Sequence, residues 1–127
     1  MTVARADGDS RQWLGRQGEA AAEEALVRAG LRILERRFRS RFGEVDLVAL
    51  DGDVMVFVEV KTRRGLRFGS PAEAVIPRKQ ARLARAALAY LSRHGMLDRC
   101  SRFDVVEVLA EAGGRMVVRH IPDAFRC

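Results

Sequence analysis

A chain of 127 residues, with 48% hydrophobic and 31% charged side chains and only 3 prolines, has the make-up of one folded globular domain, not of a disordered or fibrous protein. No apolar run approaches membrane-spanning length, and the 2 cysteines, Cys100 and Cys127, have neither metal-ligand nor disulfide-framework spacing. The formal charge of +6, mostly from arginine, favours a polyanionic partner, with nucleic acid ahead of a membrane surface.

Residues 1–127 read as a single domain in which 1–8 form a loose tail. The first dozen residues carry Arg5, Asp7, Asp9 and Arg11 and lack an apolar core, which predicts no signal peptide and a cytoplasmic protein. Asp9 and Gln12 resemble a capping box. The helix they open carries an apolar stripe through Leu14, Gly18, Ala22 and Leu26, and Gly30 is placed to end it. Glu19 sits at the border of that stripe, where a carboxylate is most often a solvated surface group.

A first strand is predicted over 31–39. Between Arg28 and Arg41 there are six arginines and one acid, Glu35. Arg37, Arg39 and Arg41 belong to this run, which suits either a solvated edge strand or a rim that grips phosphates. The run from Gly43 to Arg63 reads as two strands joined by a tight turn at Asp51-Gly52. With those two residues as the loop, Glu44 falls opposite Glu59 and Asp46 opposite Phe57. Glu44, Asp46, Glu59 and Lys61 then share one face.

A long loop over 64–76 either closes over a substrate or merely connects. Pro77 opens a second helix that runs to about His94, with Leu83, Ala87, Tyr90 and Leu91 as its buried stripe. Arg78, Arg82 and Arg85 line the other side, and no acid occurs between Glu73 and Asp98. Gln80 points inward and needs a partner there. Strands over 101–109 and 115–121 complete the order. A strand–helix–strand crossover implies one mixed sheet of about five strands flanked by helices, an α/β sandwich. His94 and His120 lack metal spacing and read as surface or structural groups.

The crowded hairpin face carries the chemistry. Like charges opposed across a sheet are destabilising without compensation, and Asp46 and Glu59 together can reach a hard cation such as Mg2+ or Mn2+. Lys61, two residues beyond Glu59, can orient or deprotonate a water or stabilise developing negative charge. Two acids and a lysine on a basic protein suit metal-dependent phosphodiester cleavage.

Gly-Arg-Gln-Gly-Glu-Ala at 15–20, Gly-Glu-Val-Asp-Leu-Val at 43–48, Phe-Val-Glu-Val-Lys-Thr-Arg at 57–63 and Arg-Phe-Asp-Val-Val at 102–106 resemble the YraN family of small bacterial proteins. The likeness runs from about Gly15 to Phe125. It implies a restriction-endonuclease-like PD-(D/E)xK core, distantly similar to archaeal Holliday junction resolvases. It further implies a metal site of Asp46, Glu59 and the Val60 carbonyl, with Lys61 as catalytic lysine and Glu19 as an extra metal or water ligand. Gln80 matches a catalytic glutamine or lysine-glutamine element at the start of the helix after the core, Glu44 is an auxiliary acid, and Asp104 is structural or catalytic. Arg37 stands where the family pattern suggests asparagine. Junction-resolving relatives are dimers, so the resemblance allows a homodimer.

The leading expectation is an Mg2+- or Mn2+-dependent endonuclease on DNA, including branched or damaged DNA, with no small-molecule cofactor. Arg37, Arg39, Arg41, Arg63, Arg78, Arg82 and Arg85 would hold the backbone. Two alternatives remain open at this point: a nucleic-acid-binding module with the nuclease fold and little turnover, and an endoribonuclease on structured RNA.

Overall fold

The computed structural model describes residues 7–65, 67, 68 and 75–125, and side chains from residue 11 onward. In chain order the elements are α1 (Asp7–Arg28), β1 (Arg32–Ser40), β2 (Gly43–Asp51), β3 (Val54–Arg64), α2 (Pro77–Arg93), β4 (Ser101–Ala110) and β5 (Met116–Phe125). The strands form one sheet in the order β1-β2-β3-β4-β5. All neighbours are antiparallel except β3 and β4, which are parallel and joined through α2. The expected mixed five-stranded α/β sheet is present.

Helix α1 begins two residues earlier than expected, at Asp7, so Asp7 and Gly8 are helical and only 1–6 of the expected tail lie outside the described residues. Its other end matches the sequence pattern. Gly30 has φ 95°, its N–H donates to the Val27 carbonyl, and the Leu31 N–H donates to the Leu26 carbonyl. This is a Schellman closure, with Leu26 and Leu31 as its apolar clasp.

Alternation along the strands builds two cores. Val56 and Val58 of β3 and Val106 and Val108 of β4 face Ala22 and Leu26 of α1. Met55 and Phe57 of β3, with Val105 of β4, face Leu83, Ala87, Tyr90 and Leu91 of α2. Since neighbouring residues of a strand point to opposite faces, α1 and α2 cover opposite sides. Tyr90 anchors the α2 side through edge-to-face contacts with Phe38 at 5.1 Å and Phe57 at 5.9 Å.

The central hairpin departs from the expected register. Asp51 pairs with Val54, leaving Gly52-Asp53 as the loop, and Leu47 pairs with Val58. Gly52 has φ 59°, the conformation required at the first position of a type II′ turn, which glycine supplies without steric cost. Asp-Gly therefore does not form the loop; the glycine leads it. The slip moves each β2 residue past two β3 residues, so faces are preserved while partners change. Continued beyond Leu47, this register sets Asp46, not Glu44, across from Glu59.

Gly18 fixes how closely α1 lies on β3. A Cβ built there would sit 1.9 Å from Thr62 Oγ1 and 2.9 Å from Thr62 Cβ, and a β-branched strand residue has little freedom to retreat. Gly18→Ala gains up to about 1 kcal/mol of helix propensity but overpacks the contact by about 1–3 kcal/mol. A net loss of stability is expected, read as a lower urea midpoint at unchanged m-value.

Candidate metal and phosphate site

The site begins where β1 and β2 change face together. Arg36 pairs with Leu47 and Phe38 with Val45. Arg36 reaches Glu23 of α1, its Nη2 lying 2.9 Å from Oε2, and Leu47 lies in the α1-side core. Phe38 and Val45 lie in the α2-side core instead. Residues two apart in a regular strand would share a face. The switch occurs at Arg37, which has φ 51°, a left-handed conformation that costs a non-glycine residue on the order of 1 kcal/mol.

Asp46 lies across this irregular rung. In the hairpin register the Val60 N–H would next meet the Val45 carbonyl; Asp46 Oδ2 accepts it instead, at 2.8 Å. The β2–β3 pairing stops at Leu47 and Val58. A carboxylate thus replaces a ladder bond, and Asp46 is brought into hydrogen-bonding contact with Glu59.

Glu59 is buried, and the Lys79 Nζ of α2 lies 2.9 Å from its Oε1. Lys61, two residues farther along β3, is part-buried and lies beside the Lys79 ammonium; burial and that like charge push its amine below the ordinary range. Asp46 and Lys61 therefore both gather on the α2 side. Glu44, Asp46 and Glu59 meet Arg78, Lys79 and Arg82 around a cavity of about 460 Å³. Lys79 was not singled out from the sequence. Its signal is the spacing Lys79, Leu83, Ala87, Leu91, which carries the buried stripe back into the first turn.

The other expected members are distributed less tightly. Glu19 is ion-paired with Arg37, Oε2 to Nε 3.1 Å, beside a second hollow that Val60 and Thr62 also line. Arg37 also lies within electrostatic reach of Glu44 and Asp46. Among the described residues no three His, Cys, Asp or Glu side chains gather into a metal cage. Gln80 donates from Nε2 to the Val75 carbonyl at 3.0 Å, meeting its need for an inward partner. Glu44 is paired with Arg39 at 3.3 Å. Arg41 stacks on Phe42, 4.9 Å from the ring centroid. Arg63 lies within electrostatic reach of Lys61, and Arg85 is exposed on α2. In the long loop, residues 66 and 69–74 lie outside the described residues.

Asp104 lies on β4 level with Val58 of β3. It is fully buried and accepts hydrogen bonds from Arg102 Nε at 2.9 Å and from the Asp123 N–H at 2.9 Å, where Asp123 has φ 51°. His120 Nε2 lies 2.7 Å from Asp104 Oδ2, and Arg102 also reaches Asp51 at 2.8 Å. Burial works to raise the Asp104 carboxyl, but the bonds from His120 and Arg102 outweigh it and hold it below its ordinary value. This network ties β4, β5 and the hairpin turn. His120 does have a carboxylate partner, invisible in the sequence because it lies across a strand pair. Glu107, Cα partner of Lys61 on β4, is a further buried acid, bonded to Arg119 at 2.7 Å.

Burial and the negative charge of Glu59 push the Asp46 carboxyl up to about 7, although the Val60 N–H and Lys79 oppose the rise. A folded-state value above the unfolded one favours the fold at low pH, and that benefit is lost as pH rises through 7. The penalty is on the order of 4 kcal/mol in alkaline solution. Asp46→Asn retains an acceptor for Val60 without the charge. In metal-free buffer its melting temperature is expected to exceed that of the native chain by a margin that grows between pH 5 and pH 8; a margin independent of pH would contradict this assignment.

A family model described as "Uncharacterised protein family UPF0102" matches residues 18–108. The chain is 54% identical over 112 residues to a UPF0102 protein of Symbiobacterium thermophilum, covering 88% of this chain and 95% of the relative. It is 48% identical over 119 residues to one of Trichlorobacter lovleyi, covering 93% and 94%. With one of Geobacter sulfurreducens it shares 49% over 112 residues, 88% of each chain. Because the family model spans the helix, the hairpin and the parallel crossover that build the site, and these relatives align along nearly their whole length, the chain belongs to the UPF0102 family.

Proposed function

We propose that this protein is a metal-dependent nuclease of the PD-(D/E)xK type that hydrolyses phosphodiester bonds in DNA. The observation that supports the reading is the Asp46–Glu59 pair: a buried and a part-buried carboxyl in contact, at the point where β2 and β3 part, in a cavity walled by cations. The Val60 N–H needs an acceptor, which a neutral Asn at 46 would also supply, but no such need calls for a second carboxyl at Glu59 beside it.

The donor set fits a hard divalent cation. Asp46 and Glu59 supply anionic oxygens, and Mg2+ commonly takes one or two carboxylates and completes its shell with water and phosphate oxygens. When bound, such an ion lowers the pKa of its water and draws charge from a phosphoryl oxygen. The chain's own groups do the rest. The Val60 backbone holds Asp46 in place through its N–H, and its carbonyl is the third oxygen that the family resemblance implies. Lys61 presents an ammonium of lowered basicity on the same side, suited to orienting a water, exchanging a proton or stabilising developing charge. Arg78 and Arg82 line the cavity and hold flanking phosphates without reading bases.

Asp46→Asn or Glu59→Gln is expected to lower Mg2+- or Mn2+-dependent cleavage by about 100-fold or more while nucleic-acid affinity in EDTA stays within a few-fold. Junction, flap, duplex and single-stranded DNAs and structured RNAs form the substrate panel. Cleavage confined to RNA would replace the DNA assignment, and unchanged cleavage by both variants would remove the enzyme reading. Replacing Arg78, Arg82 and Arg85 together by glutamine is expected to weaken DNA binding and reduce the slope of log K against log salt by about 2–3; an unchanged slope would make this helix face merely solvated.

A further inference from the structure

Lys79 occupies an unusual place. It lies in the first turn of α2, which carries no acidic residue and has no side-chain cap at its start. A cation there opposes the helix dipole, and Arg78 precedes it. Its ammonium extends to Glu59 at 2.9 Å, and its charge also reaches Asp46 and Lys61. The Glu59 side chain is 6% exposed, whereas that of Lys79 is 41% exposed. One partner is fixed in the sheet, and the other is a flexible stem whose head can leave toward solvent.

We propose that Lys79 is the resident counter-cation of the Asp46–Glu59 pair, and that it must withdraw from Glu59 before a divalent ion can bind there. The inference rests on the metal-site reading above. An ammonium on Glu59 Oε1 and an ion at the Asp46–Glu59 pair repel each other and draw on the same carboxylate charge, so the two cations compete for Glu59. Once released, the ammonium lies at the cavity wall with Arg78 and Arg82, where it adds a third positive charge for a phosphate. Ion binding and phosphate binding are then coupled through one side chain. By linkage, a phosphate that captures the released ammonium strengthens the ion's binding. The contact also explains how the buried Glu59 is tolerated beside Asp46 before an ion arrives, since an uncompensated buried charge is strongly destabilising.

Calorimetric titration of Mn2+ into the full-length chain, without nucleic acid and at fixed pH and ionic strength, tests this. Lys79→Met is expected to bind Mn2+ about tenfold more tightly than the native chain, the worth of one charge-assisted bond to a buried carboxylate. Arg82→Met removes an equal charge from the cavity wall without touching Glu59, and should tighten binding by about threefold or less. Lys79→Arg keeps the cation and should stay near the native value. A Lys79→Met affinity equal to or weaker than native, or a gain no larger than that of Arg82→Met, would overturn the inference while leaving the metal site standing. Asp46→Asn separates the two ideas: it should abolish Mn2+ binding, and if it binds as the native chain does, the ion is not at this pair and the metal-site reading fails first.

Discussion

A single side chain-to-backbone hydrogen bond, from the Val60 N–H to Asp46 Oδ2, governs the geometry of the site. Sheet formation normally commits every backbone N–H to a neighbouring carbonyl. Here one is given to a carboxylate, and two consequences follow together. The ladder between β2 and β3 ends at Leu47 and Val58, so the strands are free to part. The carboxylate that ends it is fixed in the gap, in contact with Glu59. The left-handed turn of backbone at Arg37 belongs to the same event, because β1 and β2 must change face together to keep their pairing while Asp46 turns toward β3.

That arrangement is costly by itself. Burial and mutual repulsion push Asp46 to about 7, and the surroundings answer with cations. Lys79 bonds Glu59, and Lys61 lies next to Lys79. Arg37 draws on Glu19, Glu44 and Asp46. The site is a balance of opposite charges around the buried Glu59, and perturbed groups of this kind cluster where a protein does chemistry. The Asp104 network contains similar residue types in a different state. Arg102, His120 and the Asp123 N–H converge on that carboxylate, and its pKa falls accordingly. A satisfied acid braces the sheet, whereas Asp46 beside Glu59 is held well above the ordinary carboxylate range.

The arginines divide along the same line. Arg28, Arg36, Arg37 and Arg39 are paired with Glu24, Glu23, Glu19 and Glu44 respectively. Much of the charge on the first strand therefore ties β1 to α1 and β2, in keeping with its position at the sheet edge. Arg78 and Arg82 project from α2 at the cavity instead. A count of arginines in sequence cannot separate these groups, because the acids that neutralise the first set come from other elements.

Local rules determined much from the sequence alone. The four-residue apolar spacing of α1 and α2, Gly30 as a C-terminal stop, Pro77 as a start and the β-rich runs placed the elements, since helix and strand periods and their end signals are short-range properties. The parallel crossover followed from element order. Asp46, Glu59 and Lys61 were legible as one face because the expected and observed hairpin registers differ by two residues, a slip that preserves faces. Their partners were not. The hairpin register depended on whether Gly52 leads or follows in the turn, a choice between backbone conformations of nearly equal sequence signature. Lys79 on Glu59, Arg37 on Glu19 and His120 beside Asp104 join residues on different elements, so only the tertiary packing decided which charges meet. The sequence determined which chemical groups the protein carries on which element; the fold decided which of them meet and neutralise one another.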